Sequence, residues 1–92
     1  MNLSAEDKLK LRLVALETLK KASETQTQTW VARRLRIAIS QVNRYVTRET
    51  ATPNIERSLK ILKLFKAYIP NEILIDPEWI TKAIEAAEAK QG

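Results

Sequence analysis

Residues 27–47 read TQTWVARRLRIAISQVNRYVT, and this stretch decides how the rest of the chain has to be arranged. Thr27 suits the N-cap of a helix because its hydroxyl can accept a hydrogen bond from a free amide of the first turn. We therefore predict a short helix over residues 28–35. The buried face of that helix would hold three apolar residues at helical spacing, which are Val31, Ala32 and Leu35.

The second half of the same stretch predicts a tight turn followed by another short helix. We place the turn at residues 36–38 and the helix at residues 39–47. The apolar spacing in that helix buries Val42 and either Tyr45 or Val46. The rest of the chain would then support this pair of helices.

One unbroken amphipathic helix is the alternative for this stretch. Its apolar residues would be spaced by four, three, four and three positions, a coiled-coil-like pattern formed by Val31, Leu35, Ala38, Val42 and Tyr45. That arrangement leaves Ile37 and Ile39 exposed and gives Ala32 no role. Two helices instead bury Ile37 in the turn and put the small Ala32 where the helices approach closely. We therefore favour two helices.

The segment before this stretch is also predicted to be helical. Ser4 followed three residues later by Asp7 forms a capping box, so a helix should begin there and fade near Ala22. Its apolar stripe would run through Leu9, Leu13, Leu16 and either Leu19 or Lys20, and Leu11 and Val14 would widen the apolar face.

The second half of the chain supplies two further helices. Residues 48–52 have no large apolar side chain and are predicted to form a loop. Pro53 suits the first turn of a helix, where its missing amide hydrogen costs nothing. Asp76-Pro77-Glu78 is a similar start for a fifth helix over residues 77–90. Residues 72–75 could extend as a strand or pack across the core.

The expected fold class is all-α, a small bundle of about five helices.

Composition narrows the functional classes. The chain has 92 residues, enough for one domain with a modest core. It contains no Cys and no His, so disulfides, Cys/His zinc sites, thiol nucleophiles and imidazole acid–base chemistry are excluded. No carboxylate pair, nucleophile–base set or glycine-rich phosphate loop suggests an enzyme. We expect no catalytic residue, metal, cofactor or small-molecule ligand, and no apolar run is long enough to cross a membrane.

Positive charge is concentrated in the middle of the chain. The net charge is +5, but residues 28–66 alone carry nine Lys and Arg against two acids, while residues 67–92 are net acidic. This layout is typical of a protein that binds a polyanion, although a solvated basic face without a partner would look the same. The nine cations are Arg33, Arg34, Arg36, Arg44, Arg48, Arg57, Lys60, Lys63 and Lys66.

Residues 27–64 resemble the phage repressor/Cro family of helix-turn-helix proteins, which have the lambda-repressor-like fold. That family opens its second helix with a Ser/Thr-Gln pair and places an Ala four residues after the Gln, as do Thr27-Gln28 and Ala32 here. An apolar residue follows the turn and a branched aliphatic residue comes five positions later, matched by Ile37 and Val42. A Pro-x-apolar stretch leads the fourth helix, matched by Pro53-Asn54-Ile55 with Leu59, Ile61 and Leu62.

Two positions depart from the family pattern. Arg36 stands at the turn position where glycine is usual, and a non-glycine residue in the left-handed conformation costs about 1–2 kcal/mol. Ile39 stands at the first exposed position of the second short helix, where polar residues are common. An apolar side chain there could meet a thymine methyl group.

The resemblance implies a helix-turn-helix DNA-binding domain over residues 1–69, followed by a C-terminal extension and helix over residues 70–92. The helix at residues 39–47 would lie in the major groove of double-stranded DNA, with its N-terminal residues against base edges. Arg can be bidentate to guanine, Asn or Gln to adenine, and Ser can bond either way. The candidate base-reading residues are Ile39, Ser40, Gln41, Asn43 and Arg44.

Phosphate contacts would come from the edges of this helix pair. Gln28 matches the family position that clamps the DNA backbone, and the free amides at that helix N-terminus favour an anion. The candidate phosphate-binding residues are Thr27, Gln28, Arg36, Arg48, Thr50 and Arg57.

One such module buries limited surface, so we expect a homodimer on a pseudo-palindromic operator with half-sites about 34 Å apart. The candidate dimer residues are Ile73, Ile75, Trp79, Ile80 and Ile84. The alternative is that the fifth helix folds back on the core of its own chain.

The sequence therefore predicts a transcriptional regulator of the repressor or Cro type, cytoplasmic in a bacterial cell or phage-infected host. A second hypothesis from another class is a helical protein-interaction module, such as an antitoxin or adaptor with a basic face. A salt titration discriminates the two hypotheses. DNA binding should weaken steeply as salt rises, because binding releases cations that had been condensed on the phosphates, and it should keep a preference for one sequence.

Overall fold

The part of the chain that the structure describes folds into five α-helices and one short 3-10 helix. A computed structural model of the chain describes residues 3–48, 51–71 and 76–91, and the described residues contain no strand. The predicted all-α fold class is therefore confirmed, while the proposed extended segment at residues 72–75 lies outside the described residues. The helices are α1 (Ala5–Thr25), α2 (Gln28–Leu35), α3 (Ile39–Thr47), α4 (Ile55–Leu64), the 3-10 helix (Lys66–Tyr68) and α5 (Pro77–Gln91).

The predicted break between α2 and α3 is present, and both helices have the predicted bounds. The unbroken-helix alternative is therefore wrong. The Thr27 hydroxyl accepts a hydrogen bond from the Trp30 amide at 3.0 Å, which is the N-cap that the sequence predicted.

Helix α1 begins with the predicted capping box. The Ser4 hydroxyl accepts from the Asp7 amide at 3.1 Å, and the Asp7 carboxylate accepts from the Ser4 amide at 3.3 Å. The helix runs to Thr25, three residues beyond the predicted end near Ala22. It continues because residues 23–25 include neither Gly nor Pro. The Ser23 hydroxyl is also satisfied within the helix, because it donates to the Leu19 carbonyl.

The predicted apolar stripe of α1 was partly wrong. Leu9 and Leu13 are 49% and 46% exposed, so they lie on the outer face. Leucine or valine occurs on several sides of this helix, so spacing alone left its buried face ambiguous. Thr18 is also fully buried, and its hydroxyl donates to the Val14 carbonyl at 2.8 Å. The buried face consists of Leu11, Val14, Ala15, Leu16, Thr18, Leu19 and Ala22.

Helix α4 begins at Ile55, two residues later than the start that Pro53 predicted. Asn54 is the N-cap, because its side-chain oxygen accepts from the Arg57 amide at 2.8 Å. Pro53 precedes the helix, and its ring is fully buried. An asparagine side chain can satisfy a first-turn amide, which proline cannot do.

The core lies between α1 and the helices that surround it. Helix α1 packs against α2, α3, α4 and the 3-10 helix, and it also touches α5. Phe65, at the end of α4, is fully buried, and its ring lies 5.6 Å from Trp30 and 6.5 Å from Tyr68 between ring centroids. These contacts fix α2 and α3 on the surface of the bundle with one face turned outward.

Helix α5 packs on the same core. Ile80 is 6% exposed and Ala83 is fully buried. Ile80 is therefore a core residue of its own chain, as in the fold-back alternative. The other candidate dimer residues differ: Trp79 and Ile84 are half-buried, while Ile73 and Ile75 lie outside the described residues.

Within the described ranges, no helix combines the length and apolar character needed to span a bilayer.

Candidate nucleic-acid interface

The turn between α2 and α3 depends on one left-handed residue. Arg36 has φ 59° and ψ 45°, and it is the single non-glycine residue with positive φ among those described. The Arg36 amide donates to the Arg33 carbonyl at 3.3 Å, and the Ile37 amide donates to the Ala32 carbonyl at 3.1 Å. This pair of bonds is a Schellman motif, which ends α2 and redirects the chain into α3.

Helix α3 is clearly divided into a buried face and an outer face. Val42 is fully buried and Tyr45 is 5% exposed, so these two residues hold the helix to the core. Four of the five predicted base-reading residues are exposed, and Gln41 is half-buried. The exposed residues are Ile39, Ser40, Asn43 and Arg44.

A side-chain hydrogen bond joins the start of α2 to the outer face of α3. The Asn43 Nδ2 donates to Gln28 Oε1 at 3.3 Å. Gln28 was predicted to contact phosphate and Asn43 to contact bases, and the fold brings the two side chains together. Because the Gln28 side-chain oxygen accepts this bond, the NH2 group of the same amide is left to donate to a phosphate oxygen.

A second link joins α4 to the buried face of α3. The Arg57 Nη1 donates to the Tyr45 Oη at 2.9 Å. Tyr45 is almost fully buried, so its hydroxyl holds the half-buried Arg57 guanidinium in one orientation. The sequence had suggested Tyr45 as a core residue only, and its role as an acceptor for Arg57 had no signal in the spacing.

Positive charge is exposed around α3. Arg33, Arg34, Arg36, Arg44 and Arg48 are all exposed, and Arg34 also lies over the Trp30 ring at 4.4 Å from the centroid. None of the ion pairs formed between described residues uses a cation of α2, the turn or α3. Thr50, another predicted phosphate contact, lies outside the described residues.

Two cations that the sequence left without a specific role make long-range bonds. The Lys60 Nζ donates to the Leu35 carbonyl at 3.1 Å, so it satisfies an end carbonyl of α2. Arg12 of α1 is half-buried, and its Nε donates to the Pro53 carbonyl at 2.9 Å.

Features that could hold other ligands lie away from α3. No group of three His, Cys, Asp or Glu side chains that could hold a metal forms among the residues described. A groove of about 1070 Å³ lies between α4 and α5, bordered by apolar residues such as Leu62, Ile69 and Ile84. Polar residues such as Asn71 and Thr81 also line this groove. No described buried side-chain polar atom lacks a hydrogen-bond partner.

Comparisons of this chain with protein-family models, with curated proteins and with solved structures found no match.

Proposed function

We propose that this protein is a sequence-specific transcriptional regulator that binds double-stranded DNA and inserts α3 into the major groove. The observation that supports this most strongly is the outer face of α3. It carries exposed Ser40, Asn43 and Arg44, while Val42 and Tyr45 on the opposite face fix the helix to the core. A short helix presented in this way can approach base edges without disturbing the fold.

The residue types on this face suit base recognition. Arg44 can donate two hydrogen bonds to guanine O6 and N7, and Ser40 can donate or accept. Ile39 is 50% exposed at the first position of α3, where its side chain can meet a thymine methyl group. These three residues together could discriminate among base pairs rather than only attract phosphate.

Phosphate contacts would surround α3. Gln28, oriented by Asn43, lies at the N-terminus of α2, where free amides add partial positive charge. Arg36 and Arg48 are exposed at the two ends of α3, and Arg57 is oriented by Tyr45. Contacts of this kind set affinity and register, whereas the base contacts set specificity.

We further propose that the regulator acts as a homodimer on a pseudo-palindromic operator, as the resemblance to the repressor/Cro family implies. Two of the candidate dimer residues, Trp79 and Ile84, are half-buried, so a second copy of the chain could contact them. The buried Ile80 would then support the interface from within its own chain.

The test is to select duplexes from a random pool and then measure affinity for the selected and a scrambled sequence. Arg44→Ala should weaken binding to the selected duplex by about 1–3 kcal/mol and relax the preference at one base pair. Arg48→Ala, the matched loss of one exposed arginine, should weaken binding to both duplexes equally. Equal losses on both duplexes for Arg44→Ala would remove Arg44 from the base-reading set.

A protein-interaction module is the second candidate. It is favoured by the exposure of Ile39, because an apolar side chain beside arginines would also suit an acidic protein partner. A salt titration with both duplexes separates the two functions. The logarithm of the DNA association constant should fall by about 0.9 for each phosphate contact per tenfold rise in salt, while the selected duplex stays preferred over the scrambled one. Failure to select any duplex sequence would favour the protein partner.

A further inference from the structure

Arg12 connects α1 with the segment that leads into α4. Its Nε donates to the Pro53 carbonyl at 2.9 Å, and its Nη2 lies 3.4 Å from Thr52 Oγ1. These contacts cross about forty residues of sequence and involve a half-buried guanidinium. A planar guanidinium can direct two donors at once, so it defines the position of this backbone more closely than an ammonium would.

The Pro53 carbonyl is a fixed point in the structure. It also accepts a contact from the Ser58 hydroxyl at 3.4 Å, and both Ser58 and Pro53 are buried. The Ser58 hydroxyl donates in addition to the Asn54 carbonyl at 2.7 Å. The Pro53 carbonyl is therefore bonded from two helices, by Arg12 of α1 and by Ser58 of α4.

Asn54 links the Pro53 carbonyl to the candidate interface on α3. Asn54 follows Pro53 directly and caps α4 by accepting from the Arg57 amide at 2.8 Å. The Arg57 guanidinium in turn donates to the buried Tyr45 hydroxyl on α3. A continuous path of short contacts therefore runs from Arg12 through Pro53 and Asn54 to Arg57.

We propose that Arg12 is a positioning residue for DNA binding, which acts by fixing where Arg57 meets the phosphate backbone. This inference rests on the proposed DNA-binding function. Arg12 itself need not touch DNA, because its bonds are directed to the main chain of its own protein. Without them, Arg57 would keep its charge but would no longer be held where it meets the phosphate backbone. Ordering it there would cost more conformational entropy, so the phosphate contact would be lost.

A double-mutant cycle on the full chain tests this. Arg12→Gln should weaken binding to selected and scrambled duplexes by the same factor, about threefold to tenfold, which is the range expected for the loss of one hydrogen bond of ordinary strength. In an Arg57→Ala background the same change should have less than about a twofold effect, since the group being positioned is gone. Lys8→Gln, which removes an exposed charge from the same helix, is the matched control and should bind as the wild type does.

The salt dependence separates positioning from damage to the fold. Arg12→Gln should reduce the slope of log affinity against log salt by about one phosphate contact. Partial unfolding would lower the fraction of competent protein but leave that slope unchanged. Should Arg12→Gln fail to fold, Arg12→Lys takes its place in the same cycle, with the same loss of coupling to Arg57 expected.

Two results would overturn the inference, and they are distinguishable. Wild-type protein that binds no duplex would refute the proposed function, and the role of Arg12 with it. Wild-type protein that binds normally, with losses for Arg12→Gln and Arg57→Ala that simply multiply, would refute the role of Arg12 alone. A loss on the selected duplex only would also refute it, because a phosphate contact is shared by all sequences.

Discussion

Replacing Arg36 with glycine should raise the stability of the fold while weakening the binding of DNA. Arg36 ends α2 at φ 59° and ψ 45°, a conformation that crowds the Cβ atom of an L-residue. Glycine has no Cβ and adopts this region freely. The Arg36 side chain is exposed, so its removal costs little packing.

The magnitude follows from two opposing terms. Relief of the left-handed conformation is worth about 1–2 kcal/mol. The greater backbone freedom of glycine in the unfolded chain costs about 0.4–1 kcal/mol. The difference spans about 0–1.6 kcal/mol. We therefore expect Arg36→Gly to raise the free energy of unfolding by about 0.8 kcal/mol, the midpoint of that span, which for a domain of this size is a rise in Tm of about 3–6 °C.

Thermal unfolding followed by circular dichroism measures this change, with Arg36→Ala as the matched control. Alanine removes the same charge but keeps the Cβ, so its Tm should stay near that of the wild type. Both variants should lose the same affinity for selected and scrambled duplexes, because both remove one candidate phosphate contact. A Tm for Arg36→Gly no higher than that of Arg36→Ala would refute the strain at the turn.

Three other changes test individual contacts. Lys60→Met removes the donor to the Leu35 carbonyl but keeps the apolar stem, so a urea titration should show a loss of about 1 kcal/mol; an unchanged midpoint would mean that this bond does not stabilise α2. Tyr45→Phe removes the acceptor of Arg57 and should weaken binding to all duplexes by about threefold, whereas wild-type affinity would show that Arg57 needs no such partner. Ile80→Asp puts a carboxylate into the core and should lower the free energy of unfolding by more than about 2 kcal/mol; a variant of wild-type stability would place Ile80 on an outer surface instead.

The helix–turn–helix arrangement could be predicted because its signals are local. The Thr27 cap, the apolar spacing of α2 and α3 and the small Ala32 each act within a few residues. The left-handed conformation of Arg36 was suggested by the resemblance, because glycine is usual at this turn position in the repressor/Cro family. The exposed face of α3 then followed from the burial of Val42 and Tyr45.

The errors have a different physical origin. In α1, six Leu and Val residues lie within eleven positions. More than one face of this helix is therefore apolar, and packing against the surrounding helices determines which face is buried. Arg12 and Lys60 reach carbonyl groups that are distant in sequence. Any backbone carbonyl can accept such a bond, so the sequence carries no pattern that identifies the partner.

The measurement that tests the DNA-reading role of α3 most directly is a titration of the ¹⁵N-labelled protein with its selected duplex, followed by amide chemical shifts. We expect the largest changes at residues 39–44 and at Thr27 and Gln28, with little change in α5. Changes concentrated on α5 or on the outer face of α1, with the amides of α3 unmoved, would contradict the proposal that α3 lies in the groove.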